Sequence, residues 1–423
     1  MDEYEGLIVD KRYLSNVHQS MGIYDVNIYR KQVEEDIDVL EYILNNIYSG
    51  KDYLKKRGVN VSKCLEEVKK KLQPMECLNK AAFFEMICEA LREVKDGHLT
   101  FNLPYFNKEH RFCAHNTVYF ADLLLKEENG KYIVEYSGDQ QVQYGDVIDA
   151  ENENIFKMVN EQWLYGVFSE KPLEKTYCVC NGKKVQVKIY PVQGEQVSGS
   201  DLWSYNRIKD IDIIVIRCLS AFDSEEEEEV RQLIEIGKKL RDSSKIIIDL
   251  RGNSGGYFEY ARQFIENING MAAVNMNYAK LDSQGSRLAE LSLCAKSFEE
   301  YEKAQKDCLL NSTAMWHCSE KQAVCKGDYK KELVILTDKN TASSAEIMVK
   351  CLKESIPQSI IIGENTKGML NTGDTRYYYL PYSMIFLSVP TAIFANVFEE
   401  GTGFLPDFWS KDDALQAAIE FLS

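Results

Sequence analysis

The stretch Lys331–Gly368 reads KELVILTDKNTASSAEIMVKCLKESIPQSIIIGENTKG and decides the fold of the carboxy-terminal half of the chain. An apolar run, Leu333–Leu336, ends in a polar turn, and Ser343 then stands three residues before Glu346 at the head of an amphipathic stretch. The pattern predicts a strand that leads into a helix beginning at Ser343 and Ser344. Free amides and the positive end of the helix dipole at such a position can stabilise an oxyanion, so Ser343 is a candidate nucleophile.

A second strand, turn and helix are predicted in Lys245–Ile268, which reads KIIIDLRGNSGGYFEYARQFIENI. Two such turns in one domain predict a site at the carboxyl ends of parallel strands. Gly255 and Gly256 are candidates for an oxyanion hole together with the Ser344 amide, because glycine allows close backbone approach and tolerates positive φ. Tight packing of strand on helix is the alternative role for the two glycines. Three polar residues are expected to brace the turn: Asp249, Arg251 and Asn253.

The segments DLRGNSGG, TASSAE and IIGENTKG, in this order and spacing, resemble the C-terminal-processing serine peptidases, the family of tail-specific proteases and the tricorn protease core. The resemblance covers about Ile211 to the C-terminus and reaches back more weakly to VKDGHLTF at Val94–Phe101. It implies a serine-type peptidase that needs no metal or organic cofactor, with Ser343 as nucleophile. Taken alone, the S-x-x-E spacing favours an ordinary helix capping box, and the resemblance together with the glycine turn favours catalysis instead.

The base that activates the serine is the open question of the sequence. In the tail-specific branch of the family, the resemblance implies a lysine just after the second glycine of GExTxGK. Here Gly363–Met369 reads GENTKGM, so Met369 occupies that position and its thioether cannot accept a proton. Lys367 lies two residues away and points to the same side in an extended segment, which makes it the alternative base.

The tricorn-like branch uses a histidine supported by a glutamate, and the resemblance places that histidine at His98 in LREVKDGHLTF. Of the five histidines, His115 is the second choice. The glutamate precedes a G-apolar-x-P-D motif, which Gly403–Asp407 fits. The resemblance therefore implies Glu400, with Glu399 as its alternative. Such a carboxylate holds the imidazole in the useful tautomer.

The chain is predicted to be a multidomain α+β protein. Residues 1–110, with helical patterns over Val26–Leu72 and Glu76–Val94, form an amino-terminal helical domain, and 111–200 form a small β domain. Within it, QVQYGDVIDAENENIFKMVNEQ resembles the passage of PDZ domains in which a GD-apolar strand and a short turn precede a helix. A peptide-binding module and a β scaffold shielding the cleft both stay open. Residues 201–423 form an α/β catalytic domain of the crotonase or Clp-protease type.

Bulk composition excludes several function classes. The 423 residues carry a formal charge of −16, with 66 acidic and 50 basic residues, which argues against nucleic-acid binding. The 12 cysteines have no metal-ligand spacing and fit a reducing compartment, so neither disulfides nor a metal site is predicted. No membrane span and no signal peptide are visible, which predicts a cytoplasmic protein as the chain is written, or an exported one if a leader was removed. Nothing in the sequence sets the oligomeric state.

The sequence thus predicts a serine endopeptidase acting on peptides or unfolded protein tails. Ser343 attacks, His98 accepts the proton, Glu400 orients His98, and amides of Gly255 or Gly256 and of Ser344 bind the oxyanion. Two alternatives stay open. One is a Ser-Lys dyad that uses Lys367. The other is a non-catalytic protein that binds peptides or apolar ligands on a peptidase scaffold, which the altered lysine motif favours.

Overall fold

The computed structural model of the chain describes residues 26–113, 115–149, 154–192, 202–221, 223–270, 277–294, 299–300, 303, 314–319, 331–394, 400–410 and 413–423. The chain divides into two compact units, each assembled from three segments. The first unit comprises Met1–Ala114, Met276–Lys321 and Asn371–Glu400, and the second comprises His115–Asn275, Gln322–Leu370 and Gly401–Ser423. The predicted division into three domains at residues 110 and 200 stays a prediction.

The described residues form both helices and strands, with a long run of strands between Asp96 and Ile216. The helices are α1 (Arg30–Tyr42), α2 (Lys51–Lys56), α3 (Val61–Leu72), α4 (Lys80–Ala90), α5 (Ser224–Leu240), α6 (Phe258–Asn269), α7 (Gln284–Cys294), α8 (Ser344–Ser355) and α9 (Ala414–Leu422). The strands are β1 (Asn27–Tyr29), β2 (Cys77–Asn79), β3 (Asp96–Leu103), β4 (Lys108–Phe112), β5 (Thr117–Ala121), β6 (Leu123–Glu128), β7 (Lys131–Ser137), β8 (Val147–Asp149), β9 (Ile155–Lys157), β10 (Trp163–Ser169), β11 (Lys175–Cys180), β12 (Lys183–Pro191), β13 (Trp203–Ile208), β14 (Ile211–Ile216), β15 (Lys245–Asp249), β16 (Tyr278–Asp282), β17 (Met315–Cys318), β18 (Glu332–Thr337), β19 (Ile360–Gly363), β20 (Thr372–Tyr379), β21 (Phe386–Phe394) and β22 (Phe408–Trp409).

The first unit packs helices α1 to α4 and α7 together with an antiparallel sheet. Helix α3 shows why these segments are helical. The Asn60 side chain caps its first turn by accepting from the Lys63 amide, and its buried side chains recur at helical spacing. The helical prediction for this region is confirmed, and α4 ends at Ala90, before the Asp96-Gly97-His98 turn opens β3.

The sheet of the first unit has the strand order β17-β16-β21-β3-β4, with β20 paired to β21 as well. Every pairing in it is antiparallel. Its strands come from three distant parts of the chain, and this places the start of β3, which carries His98, in the same unit as β20 and Glu400. Apolar side chains of β3, β20 and β21 share one core with α1, α3 and α4.

The second unit contains a small barrel and an α/β layer. The barrel strands follow the antiparallel order β5-β12-β11-β8-β7-β6-β10-β9, and an additional β5–β10 pairing closes the ring. The prediction of β structure here is confirmed. The helix predicted after residue 154 is wrong, because Ile155–Lys157 forms β9, where Phe156 packs edge-on against Trp409 at 4.9 Å between ring centroids. The similarity to PDZ domains stays a prediction.

The α/β layer has the strand order β13-β14-β15-β18-β19-β22. Strand β13 is antiparallel to β14, and the other four pairings are parallel. One face packs against α9, and alternate side chains on the other face are buried as well. Helix α5 connects β14 to β15, which confirms the predicted βαβ unit, and α6 packs against α5 and α8. At the α5–α6 contact, a Cβ added to Gly237 would lie 2.8 Å from the Phe264 carbonyl oxygen.

The mixed helix and sheet fold class is therefore confirmed. Strands β15 and β18 are parallel neighbours, so the turns that follow them lie side by side at the carboxyl edge of the sheet. This is where the sequence predicts the site. Within the part of the chain that the structure describes, no helix has the length and apolar character needed to cross a membrane.

Candidate functional site

Ser343 occupies a strained turn between a strand and a helix. It is the N-cap of α8, with φ of +54° and ψ of −121°, whereas an ordinary N-cap residue is extended at negative φ. A non-glycine residue at positive φ carries a conformational cost of order 1–3 kcal/mol. Its side chain is half-buried rather than enclosed. A similar backbone geometry of strand, sharp turn and helix exposes the serine nucleophile of α/β-hydrolases.

The two turns at the edge of the sheet are tied to each other by hydrogen bonds. The Gly252 amide donates to the Asp338 carboxylate at 3.0 Å, and the Thr341 hydroxyl donates to the Leu250 carbonyl at 2.9 Å. The Ala342 amide donates to the Asn253 carbonyl at 2.9 Å. These bonds fix the glycine turn against the residues that immediately precede Ser343.

Gly255 lies tightly against Ser343 and Ser344. It adopts a φ of +104°, and a Cβ at this position would lie 2.9 Å from Ser343 Cβ and 3.0 Å from the Ser344 nitrogen. Only glycine fits both the space and the backbone conformation. The Gly255 amide itself donates to Asn253 Oδ1 at 2.8 Å, so this amide is committed to the turn.

The amide of Gly256 is directed toward the start of α8. Leu219 forms backbone hydrogen bonds with the two residues that flank Gly256. The Leu219 amide donates to the Gly255 carbonyl, and the Leu219 carbonyl accepts from the Tyr257 amide. The N–H and C=O groups of Gly256 therefore face away from Leu219. The Gly256 carbonyl accepts from Ser344 Oγ at 2.6 Å, on the helix side. Since the Gly255 amide donates to Asn253, Gly256 is the stronger of the two glycine candidates for an oxyanion donor beside the Ser344 amide.

The predicted brace of the glycine turn is confirmed. Asp249, 1% exposed, accepts from Arg251 at 2.9 and 3.0 Å and from Arg217 at 3.1 Å. Burial acts to raise the pKa of Asp249, but the hydrogen bonds and charges of the two guanidinium groups outweigh it and leave that pKa lowered. Asn253 links the turn to β14 by donating to the Ile216 carbonyl.

Glu346 is the residue whose role the sequence did not reveal. Its fully buried carboxylate accepts from the Ser343 amide at 2.9 Å, as in a capping box. It also accepts from the Thr366 hydroxyl at 2.6 Å and from the amides of Gly368 and Met369 at 2.7 and 2.9 Å. Burial raises the pKa of Glu346 to about 7, while these hydrogen bonds act to lower it. Its only signal in the sequence is the S-x-x-E spacing, which predicts the first of the four bonds.

Lys367, the alternative base, belongs to the second unit, as Ser343 does. Its amide donates to the Thr341 carbonyl at 2.8 Å, two residues before Ser343. Its carbonyl lies 3.3 Å from Nδ1 of His115, the second-choice histidine. Burial lowers the pKa of His115 to about 4, and the nearby charges of Lys367 and Lys339 act in the same direction. Met369 is 5% exposed and lies at the predicted position of the missing lysine.

His98 and Glu400 belong to the first unit. Glu400, 8% exposed, accepts from the Gly97 amide at 2.8 Å and from the Asn371 amide at 3.3 Å. The His98 amide donates to Asp96 Oδ1 at 2.9 Å. Burial lowers the pKa of His98, against the opposing charge of Asp96. The structure thus brings Glu400 to the turn that carries His98, and the predicted alternative Glu399 lies outside the described residues.

Two further contacts hold the His98 turn from the side of Asp96. The Tyr48 hydroxyl donates to Asp96 Oδ2 at 2.6 Å, and the Thr372 hydroxyl donates to Asp96 Oδ1 at 2.7 Å. Arg111 donates to the Gly97 carbonyl at 3.0 Å. No group of three or more potential metal-ligating side chains occurs among the residues that the structure describes.

The sequence of the α/β layer settles the family. The family model of peptidase family S41 matches residues 212–408. Residues 212–408 therefore form a peptidase family S41 region of this chain. The match includes both turns, Ser343 and Glu400, whereas His98 lies outside it. The predicted resemblance is confirmed, and this S41 protein is a serine-type peptidase that acts on peptide or protein substrates.

Three solved structures illustrate what the S41 protein is similar to. Mature CPAF is 14% identical, with 93% of this chain and 96% of that chain covered and a TM-score of 0.47. The photosystem II D1 C-terminal processing protease is 15% identical, with 90% and 92% covered and a TM-score of 0.39. The tricorn protease is 15% identical, with 93% of this chain and 36% of that chain covered and a TM-score of 0.41. No curated protein matches this chain in sequence.

Proposed function

We propose that this chain is an endopeptidase that cleaves peptides or unfolded protein tails, with Ser343 as the attacking nucleophile. The observation that carries the proposal is the backbone of Ser343 at φ of +54°. A serine that only caps a helix needs no such conformation, because the extended N-cap geometry is available without strain. Strain at a half-exposed hydroxyl beside a glycine turn fits a nucleophile.

In the proposed reaction, Ser343 Oγ bonds to the carbonyl carbon of the scissile peptide while its proton passes to the His98 ring. The electron pair of the C=O double bond moves to oxygen, where the amides of Gly256 and Ser344 stabilise the charge. The protonated His98 gives its proton to the leaving amine, and the C–N bond breaks. A water molecule then attacks the acyl carbon while His98 takes its proton. The ester C–O bond breaks, Ser343 Oγ recovers the proton from His98, and the carboxylic acid product leaves.

Glu400 acts in this proposal as a positioning residue. Its carboxylate accepts from the Gly97 amide, so it holds the turn immediately before His98. The lowered pKa of His98 suits a general base, since the imidazole is then neutral and able to accept a proton at pH 7. The absence of an ionisable group at Met369 is the second reason for preferring histidine.

A Ser-Lys dyad is the second candidate mechanism. It is favoured by the bond from the Lys367 amide to the Thr341 carbonyl, which brings the backbone of Lys367 beside the residues that lead to Ser343. In this version neutral Lys367 takes the serine proton, and His98 has only a structural role. The two versions share the nucleophile and the oxyanion donors and differ only in the base.

The test uses a quenched fluorescent peptide library with wild type, Ser343→Ala, His98→Ala and Lys367→Ala. We expect turnover in wild type, none with Ser343→Ala, and a loss of at least a hundredfold with His98→Ala, the usual contribution of a general base. His110→Ala is the matched control, because this partly buried histidine lies on the neighbouring strand β4. Full activity in His98→Ala with loss in Lys367→Ala would support the dyad instead.

The distinction from a non-catalytic binding protein needs its own readout. A serine-reactive fluorophosphonate should label wild type and fail to label Ser343→Ala. Peptide binding without turnover or labelling in wild type would support the non-catalytic alternative and overturn the proposed mechanism.

A further inference from the structure

Tyr257, the residue that follows the proposed oxyanion donor Gly256, breaks two local rules of folding. It is the N-cap of α6, yet its side chain makes no capping hydrogen bond. An N-cap Ser, Thr, Asp or Asn at this position would stabilise the helix by accepting from a free amide of its first turn. Its ring is also 58% exposed to solvent. Residues that violate local preferences without a structural gain are expected at functional sites.

The ring of Tyr257 is held in a defined orientation. It packs edge-to-face on Tyr260, one helical turn later, with 5.7 Å between ring centroids and 74° between ring planes. Its backbone is fixed by the bond from its amide to the Leu219 carbonyl at 2.6 Å. Tyr257 is thus an exposed ring that packs on the partly buried Tyr260, and a ring held in this way offers apolar contact area at a small entropic cost on binding.

The position of this pair relates it to the chemistry. Neighbouring Cα atoms are about 3.8 Å apart, so the Cα atom that carries the Tyr257 side chain lies next to Gly256, whose amide is the proposed oxyanion donor. A carbonyl oxygen bound at that amide brings the side chain of its own residue within reach of the ring.

We propose that Tyr257 and Tyr260 form a subsite for an apolar or aromatic substrate side chain, namely that of the residue supplying the scissile carbonyl. This inference rests on the proposed function and adds to it the preferred substrate class. The wider turn supports it, because Gly256 and Ser254 on either side of Gly255 are exposed and leave the approach to the ring open.

The test compares two peptides that differ only at this substrate position, one with Phe and one with Ala. Wild type should prefer the Phe peptide in kcat/KM on the order of tenfold or more, as apolar pockets do. In Tyr257→Ala the ratio of the two kcat/KM values should fall toward one, and Tyr257→Phe should restore it. Tyr190→Ala, which removes a 53% exposed tyrosine from barrel strand β12, should leave the ratio at its wild-type value.

The outcomes separate this inference from the proposed function. If wild type turns over both peptides and Tyr257→Ala does not change the ratio of their kcat/KM values, the subsite is overturned and the proposed peptidase mechanism is unaffected. If wild type shows no turnover, the same two peptides are titrated by fluorescence anisotropy against wild type and Tyr257→Ala. A binding preference for Phe that Tyr257→Ala removes would then support the subsite although the mechanism had failed, and equal binding of both peptides would overturn it.

Discussion

Replacing Glu346 by glutamine tests whether burial or hydrogen bonding controls the pKa of the carboxylate beside Ser343. Burial raises the pKa of Glu346 from an ordinary 4.5 to about 7. Between these two values the folded protein binds a proton that the unfolded chain does not bind. The stability contribution of Glu346 is therefore full at low pH and is lost as pH rises from about 4.5 to 7. Since one pKa unit corresponds to about 1.4 kcal/mol, the loss amounts to about 3 kcal/mol.

Glutamine has the same shape and cannot ionise. Its carbonyl oxygen still accepts two hydrogen bonds, while its NH2 group takes the place of the other oxygen. If the glutamine NH2 group faces Thr366 and Gly368, the Thr366 hydroxyl can rotate to accept a hydrogen bond from it. The Gly368 amide, which can only donate, loses its acceptor. Such a loss costs about 1–3 kcal/mol. Glu346→Gln should therefore be less stable than wild type by about 1–3 kcal/mol at pH 5, and the deficit should shrink to near zero or reverse at pH 8.

Urea unfolding at pH 5 and pH 8, followed by tryptophan fluorescence, measures both values. Three of the four tryptophans, Trp163, Trp203 and Trp409, belong to the second unit with Glu346. Glu354→Gln is the matched control, since it removes a partly exposed carboxylate from the same helix and should shift stability by less than about 1 kcal/mol at either pH. Burial also raises the pKa of Glu364 to about 7, and this contribution is common to both proteins.

A deficit of Glu346→Gln that is equal at the two pH values, or that grows toward pH 8, would refute the reasoning. It would mean that the four hydrogen bonds keep the carboxylate ionised across the whole range.

Three further predictions address the site. Gly255→Ala should abolish turnover and destabilise the fold by more than Gly252→Ala does. Both positions have positive φ, but only at Gly255 would an added Cβ have atoms within 3.0 Å. Equal effects of the two substitutions on unfolding and on turnover would contradict this prediction. In the pH profile of kcat/KM, the acid limb should lie below pH 6.5 if His98 with its lowered pKa is the base, and an acid limb above pH 6.5 would contradict His98 in that role. Asp249→Ala leaves two guanidinium groups without their carboxylate and should lower stability by about 3–5 kcal/mol in urea unfolding, and a change below about 1 kcal/mol would rule out the bracing role.

Features that depend on neighbouring residues could be predicted from the sequence, and features that depend on distant residues could not. The turn at Ser343, the glycine turn and the parallel strands before them were predictable because each is encoded within about ten consecutive residues by apolar runs, glycines and a capping pair. The helix predicted after residue 154 failed for the opposite reason. Ile155–Lys157 is too short for its own pattern to decide, and its pairing with β10 and its contact with Trp409 decide it.

Glu346 shows the same limit within the site. The spacing to Ser343 predicts one of the four hydrogen bonds that the Glu346 carboxylate accepts. The donors of the other three lie about 20 positions further along the chain. The preference for Gly256 over Gly255 likewise depends on which amide Asn253 accepts from and on the bridge to Leu219.

By itself, the sequence was enough to recognise the family and to propose Ser343 as the nucleophile, since both depend on residue types in local order. Only the tertiary structure decided that Ser343 is strained, that Glu346 is a buried acceptor for three further donors, and that Glu400 holds the turn before His98. These properties arise from desolvation and from contacts between distant segments, and neither exists until the chain has folded.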